Sequence, residues 1–230
     1  MQVKPLIAPE VFILRPDFTA LSIQVSDCRN RPCSEVSAAL LAEARTSLAT
    51  AAWADGHMDA WRDAYRAFGA KPKRTPCSAE ALRKRVEKDG ALPAVNAVVD
   101  IYNAVSVLFA VPVGGEDLRA YQGQPRLERA NGNETFDMMA NGLPAIETVD
   151  PGEVVWRDSI GVTCRRWNWR QSVRTRITEE TTDMWFVMER LDPMPVTSLV
   201  EAGERLVAEL QKLSPGIQTS SSLLAKPGVF

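Results

Sequence analysis

With 230 residues, 45% of them hydrophobic, the chain has enough material to bury an ordinary globular core, so a disordered chain and a minimal disulfide-stapled scaffold are both excluded. No run of about 18 apolar residues suggests a membrane span, and residues 1–10 lack the basic and then apolar pattern of a secretory leader, which points to a cytoplasmic protein without a membrane partner. The formal net charge is only -2, so a local concentration of cations stands out from the average.

Cys28, Cys33, Cys77 and Cys164 are scattered, and His57 is the sole histidine. That is too few ligands at too wide a spacing for zinc, and a cytoplasmic chain of this size does not call for a disulfide framework. No metal or cofactor is expected. Any Ser-His-Asp or Cys-His device would have to use His57, which lies in Ala-Asp-Gly-His-Met-Asp, a run that reads as a helix start and gives the histidine a capping or surface role.

In chain order, residues 11–14 and 19–25 flank Arg15-Pro16-Asp17-Phe18 and read as a strand hairpin. Ser34 is placed to cap a helix over 34–47, with Val36, Leu40, Leu41 and Ala44 inward. A second helix over 58–68 turns Trp61, Tyr65 and Phe68 inward and stops at Gly69. The loop 70–76 carries Lys71, Lys73 and Arg74 between prolines. Ser78 then opens a helix with Arg83, Lys84, Arg85 and Lys88, which makes a basic patch diluted by Glu80, Glu87 and Asp89.

The apolar run 92–112 has the spacing of a helix ending at Pro112, and Asn96, Asp100 and Asn103 align on one stripe as a buried polar network or a pocket wall. Beyond Val113, Gly114-Gly115, Gln122-Gly123, Asn131-Gly132, Asn141-Gly142 and Pro151-Gly152 read as turns between short antiparallel strands, including 154–157, 162–169 and 184–189.

Residues 164–178, CRRWNWRQSVRTRIT, hold five arginines (Arg165, Arg166, Arg170, Arg174 and Arg176) and no acid. Guanidinium forks suit phosphate or carboxylate, and indoles offer stacking faces for a base. As a strand, the segment would set Arg166, Asn168 and Arg170 on one face and Trp167 and Trp169 on the other. The ordinary alternative is a solvated arginine face over a tryptophan core. A last helix covers 197–213, and the tail beyond it reads as flexible.

At residues 95–103, VNAVVDIYN, the chain resembles the B3/B4 editing domain of the bacterial phenylalanyl-tRNA synthetase beta subunit. Pro112 follows at the family's distance. Leu127-Glu128-Arg129-Ala130 with Glu134 is similar to its Arg-Ala strand and turn, and residues 177–182, ITEETT, are similar to its stretch after the pocket glycines. The likeness runs over 92–193 and implies an α/β (α+β) fold of layered sheets packed against helices. It makes 1–215 one B3/B4-type domain with an N-terminal hairpin and helical leader, and 216–230 a flexible tail.

The resemblance implies a pocket for the aminoacylated 3' end of tRNA and hydrolysis of a wrongly attached amino acid, with no DNA partner, while the length of 230 residues is too short to fit an adenylating domain. Asn103 falls on the family's pocket asparagine, Tyr102 on a pocket threonine, and Glu189, after a two-residue shift, on a glutamate that reads the side chain; without the shift Val187 takes that place. Gly114 replaces the family's histidine, and 165–170 replaces its glycine-rich segment. On that hydrolytic reading Asn103, with Asn168 and Arg170 from the segment that departs from the family, forms the expected catalytic set. Tyr102, Arg165, Arg166, Trp167, Trp169 and Glu189 would bind substrate, and Lys71, Lys73, Arg74, Arg83, Arg85, Arg174 and Arg176 would follow RNA. The alternatives are a non-catalytic RNA-binding module and a binder of an amino-acid-like ligand.

Overall fold

The computed structural model describes residues 3–48 and 51–228; the first two residues of the stretch read for a leader and the last two of the tail lie outside the described residues. Its elements are β1 (Leu6–Ile7), α1 (Pro9–Leu14), β2 (Thr19–Ser26), α2 (Glu35–Thr46), α3 (Ala54–Ala67), α4 (Ser78–Asp89), α5 (Ala97–Phe109), β3 (Val113–Asp117), β4 (Arg126–Arg129), β5 (Thr135–Ala140), β6 (Leu143–Thr148), β7 (Val154–Arg157), β8 (Val162–Arg165), β9 (Arg170–Gln171), β10 (Met184–Arg190), α6 (Val196–Leu213) and β11 (Gln218–Ala225). One sheet runs β1-β4-β7-β8-β5-β6, with β9 added beside β8; the other runs β11-β2-β10-β3. The expected α/β arrangement of sheets and helices is what the chain adopts.

The second sheet is organised by β10, which is buried along its whole length. Alternation sends Met184, Phe186 and Met188 into a core with α5 and α6, while Trp185 and Val187 enter a second core with α1, α3 and the first sheet. Glu189 has the parity of Trp185 and Val187, and Glu116 on β3 pairs directly with Trp185. Two carboxyl groups therefore leave one sheet toward the other.

Several expectations change. Residues 11–14 are helical: Pro9 at the start of α1 presets the backbone, and Val11 and Phe12 fill the core from one side of a turn. The helix expected over 92–112 begins only at Ala97, because Asn96 accepts the Val99 amide and caps it, and Asp100 accepts the Val95 amide. Gly114 and Gly115 are strand residues, not a turn; a Cβ on Gly115 would sit 2.9 Å from both Phe186 and Tyr102. His57, expected at the surface, is sealed in the interior. Its Nδ1 donates to the Ala110 carbonyl at 2.8 Å, and its Nε2 accepts from Trp61 Nε1 and the Leu191 amide, while burial lowers its pKa to about 4. A neutral ring with both nitrogens occupied ties α3 to the ends of α5 and β10.

The tail expected to be flexible is also structured. Gln218–Ala225 pairs antiparallel with β2 from Gln218↔Ser26 to Ala225↔Thr19. Its serines and threonine hid it, since an exposed edge strand needs little apolar content. Hydrogen exchange tests this directly: amides of 218–225 that bond to β2 are expected to exchange slowly, and free-peptide rates throughout the segment would remove β11.

Candidate functional site

The arginine-rich segment folds as a tight reversal, not as the continuous strand expected over 162–169. β8 stops at Arg165, Arg166 and Trp167 take left-handed φ values of 46° and 68°, and β9 starts at Arg170. Two consecutive non-glycine residues in that region cost on the order of 1–2 kcal/mol each. Glu153, 3% exposed, offsets this cost. Its carboxylate accepts Arg165 Nε at 3.0 Å, Arg165 Nη2 at 2.8 Å and the Arg166 amide at 2.8 Å, and the Trp167 and Trp169 amides close on the Val154 and Arg165 carbonyls.

This reversal splits the side chains that a strand would have grouped. Arg165 turns to Glu153 and Glu147, and Arg166 to Asp150 and Glu153 at 3.8 and 3.9 Å, beside a separate cleft that Lys71 and Arg74 border. Trp167 is buried edge-on against Phe18 and Trp61. Asn168 turns away from Arg165 and Arg166, and its Oδ1 accepts Tyr65 Oη at 2.9 Å while its Nδ2 donates to Glu189 Oε2 at 2.9 Å.

The other side is a cavity of about 250 Å³. It brings together the three expected catalytic residues, Asn103, Asn168 and Arg170, with Tyr102, Trp167, Trp169 and Glu189 of the expected binding set. The unshifted alternative, Val187, lines it as well. Arg165 and Arg166 are outside it. Arg170 is exposed at the rim with its guanidinium 5.8 Å from the Trp169 ring, and Arg166 covers that ring at 4.4 Å. Asn103 is half-buried, and its side chain has no hydrogen-bond partner among the described residues.

Three wall groups escaped the sequence reading: Glu116, Ser78 and Trp156. Glu116 was hidden beside two glycines read as a turn. Ser78 was expected to cap α4, but Cys77 occupies that position, and the buried Ser78 Oγ has no partner among the described residues. Trp156 Nε1 donates to Glu189 Oε1 at 2.9 Å.

Burial raises Glu189 to a pKa of about 8, against the donors Asn168 and Trp156, and raises Glu116 to about 7, against Tyr121 and its threonine neighbours. The Trp167 indole also faces Glu189 but lies outside hydrogen-bond geometry, so its N–H is left unpaired. Burial likewise pushes the Cys164 thiol up, which keeps it protonated and a poor nucleophile. Among the described residues no cluster of histidine, cysteine and acid side chains could hold a metal, and no helix is long and apolar enough to cross a membrane.

The expected RNA-facing residues separate by what holds them. Lys71, Lys73, Arg74 and Arg176 make no ion pair among the described residues and are exposed, and Lys71 and Arg74 border the cleft beside Arg166. Arg85 lies 3.6 Å from Asp89. Arg174 forms a two-pronged pair with Asp158 and donates to the Ala120 carbonyl, and Arg83 donates to the Val107 and Leu48 carbonyls. Those last two guanidiniums hold loops and helix ends in place.

Two measurements test this geometry. Arg165→Ala leaves Glu153 buried without its main partner and is expected to cost about 3–5 kcal/mol in urea unfolding; a loss under about 1 kcal/mol would mean that the clamp is not structural. Glu189 has a folded pKa near 8 against an ordinary value of 4.5, so its contribution is fully present below 4.5 and disappears as pH rises toward 8. Relative to Glu189→Gln, the native protein should lose a few kcal/mol between about pH 5 and pH 8.5, because each tenfold change in proton affinity on folding is worth about 1.4 kcal/mol. His57 acts with the opposite sign, gaining stability from about pH 4 to 6.5, but is common to both proteins and cancels. Parallel pH profiles would contradict the raised carboxyl.

Residues 60–206 match the B3/4 domain family, a span that begins inside α3 and includes α4, so it reaches well upstream of the 92–193 resemblance. A solved structure described as an N-terminal fragment of the phenylalanyl-tRNA synthetase beta-subunit from Pyrococcus horikoshii aligns with a TM-score of 0.54 at 11% identity. The alignment covers 98% of this chain and 55% of that one, so the two share a fold while this protein spans about half the length of its structural relative. No curated protein matches the chain. With the greater part of the sequence inside the matched span and both sheets aligned, the chain belongs to the B3/4 domain family.

Proposed function

We propose that this protein is a stand-alone aminoacyl-tRNA deacylase that acts in trans on mischarged tRNA. The observation that carries the reading is the partnerless Asn103 amide facing, with Arg170 at the rim, a cavity of about 250 Å³. That space suits an aminoacyl group and leaves the terminal adenosine outside. Family membership and the synthetase-like fold support a tRNA substrate.

Hydrolysis here needs no covalent intermediate. Water adds through oxygen to the ester carbonyl carbon, the bond from that carbon to the ribose oxygen breaks, and the proton from water ends on the ribose hydroxyl. Arg170 supports the developing oxyanion, and Asn103 with the remaining Asn168 N–H positions the ester and the water. Trp169, stacked under Arg166, stands at the rim beside the space for adenine, and Lys71, Lys73 and Arg74 meet phosphates outside. The neutral Cys164 thiol and the sealed His57 supply no nucleophile and no base.

One observation favours a second reading, a non-catalytic RNA-binding module: Gly114 stands where the resembled family carries a histidine. Release of free tRNA from a panel of aminoacyl-tRNAs decides between them. Deacylase action predicts turnover of at least one species, with kcat/KM lowered about 10-fold or more by Asn103→Ala and by Arg170→Ala at unchanged thermal stability. Salt-sensitive tRNA binding with no ester loss across the panel would replace it by the second reading.

A further inference from the structure

We propose that the floor of this cavity reads a cationic side chain, so that the aminoacyl groups it accepts are those ending in an amine or guanidinium. The inference deepens the deacylase reading and rests on it only for the tRNA portion of the ligand.

The argument begins with polarity by depth. Arg170 is exposed and Asn103 half-buried, whereas Glu189 is 1% and Glu116 3% exposed. The guanidinium on the wall is therefore at the mouth, and both carboxyl groups lie on the floor. They come from neighbouring strands of one sheet and face the same interlayer space. Neither is neutralised by an ion pair with a lysine or arginine among the described residues. Burial shifts both carboxyl groups toward their protonated forms, and a cation that enters the low-dielectric enclosure favours their ionisation, so each can meet a charged ligand with its own charge.

Two further features select the type of cation. Tyr102, Trp156, Trp167 and Trp169 line the same space, and aromatic walls stabilise ammonium and guanidinium groups. An ammonium also needs three acceptors. Glu189 and Glu116 provide two, and the buried Ser78 Oγ, without a partner among the described residues, provides the third. The α-amine of an aminoacyl ester is held next to the carbonyl near the mouth, so the group that reaches the floor belongs to the side chain. An apolar side chain would leave the Ser78 Oγ unpaired and bring no cation to the two carboxyl groups, the kind of loss that gives strong rejection.

Calorimetry with L-lysinamide and L-norleucinamide tests this, because both carry the α-ammonium and only lysinamide has the terminal amine. Lysinamide is expected to bind at least about 10-fold more tightly. Glu116→Gln should bring the two within about 3-fold, chiefly by weakening lysinamide binding. Equal affinities, tighter norleucinamide binding or no binding of either by the native protein would overturn the inference, even if Glu116→Gln fails to fold. Cleavage of apolar aminoacyl-tRNAs by a protein that does not prefer lysinamide would sink the floor assignment and spare the deacylase reading. Selective lysinamide binding with no aminoacyl-tRNA cleaved would do the reverse.

Discussion

The buried carboxylate of Glu153 fixes the direction of every side chain in the arginine-rich turn. By gripping Arg165 through two prongs and accepting the Arg166 amide, it stops β8 and holds two residues in a backbone region that each would avoid. The turn then drops Trp167 into the aromatic core and swings Asn168 toward Tyr65 and Glu189. A continuous strand could not do both, since its alternation would send Trp167 and Asn168 to opposite faces of one sheet.

Charge is partitioned by the same device. Arg165, Arg166 and Arg174 face acids from elsewhere in the fold, so much of what looked like an anion-binding stripe is internal pairing. Arg170 remains at the cavity rim, and Lys71, Lys73 and Arg74 remain on the neighbouring loop. The second sheet contributes acids in return: Glu116 and Glu189 project into the interlayer space, where burial rather than a cation sets their protonation. A slightly acidic chain thus presents cations outside its cavity and acids within it.

Periodicity found α2, α3, α5 and α6 because each buries a stripe, and the Asn-Gly, Gln-Gly and Pro-Gly turns are where their left-handed glycines require them. It failed where a distant partner decides the local shape. Nothing near Arg166 in sequence announces a left-handed residue, because Glu153 lies 13 residues upstream and β7 and β8 must pair before the two meet. Gly114 and Gly115 read as a turn because glycine permits one; in fact Phe186 and Tyr102 leave no room for a Cβ on Gly115. That misreading concealed Glu116. Asn103, Asn168 and Arg170 were chosen partly from a family likeness and partly from an alternation that does not exist, yet they share the cavity because the turn returns Asn168 to it by another route.

The division between mouth and floor follows from strand geometry. β10 is an inner strand of its sheet, so a polar side chain on its buried face cannot reach water without crossing the packed layer, and Glu189 must find its donors inside. Trp156 and Asn168 supply two N–H groups and leave the carboxyl further acceptor capacity on a cavity wall. On the deacylase reading the ester then lies between a cationic rim and an acidic floor. The rim stabilises charge that appears during hydrolysis, while the floor recognises what is present before and after it. Binding selectivity and rate acceleration are thereby assigned to different residues, Glu116 and Glu189 for the first and Arg170 with Asn103 for the second.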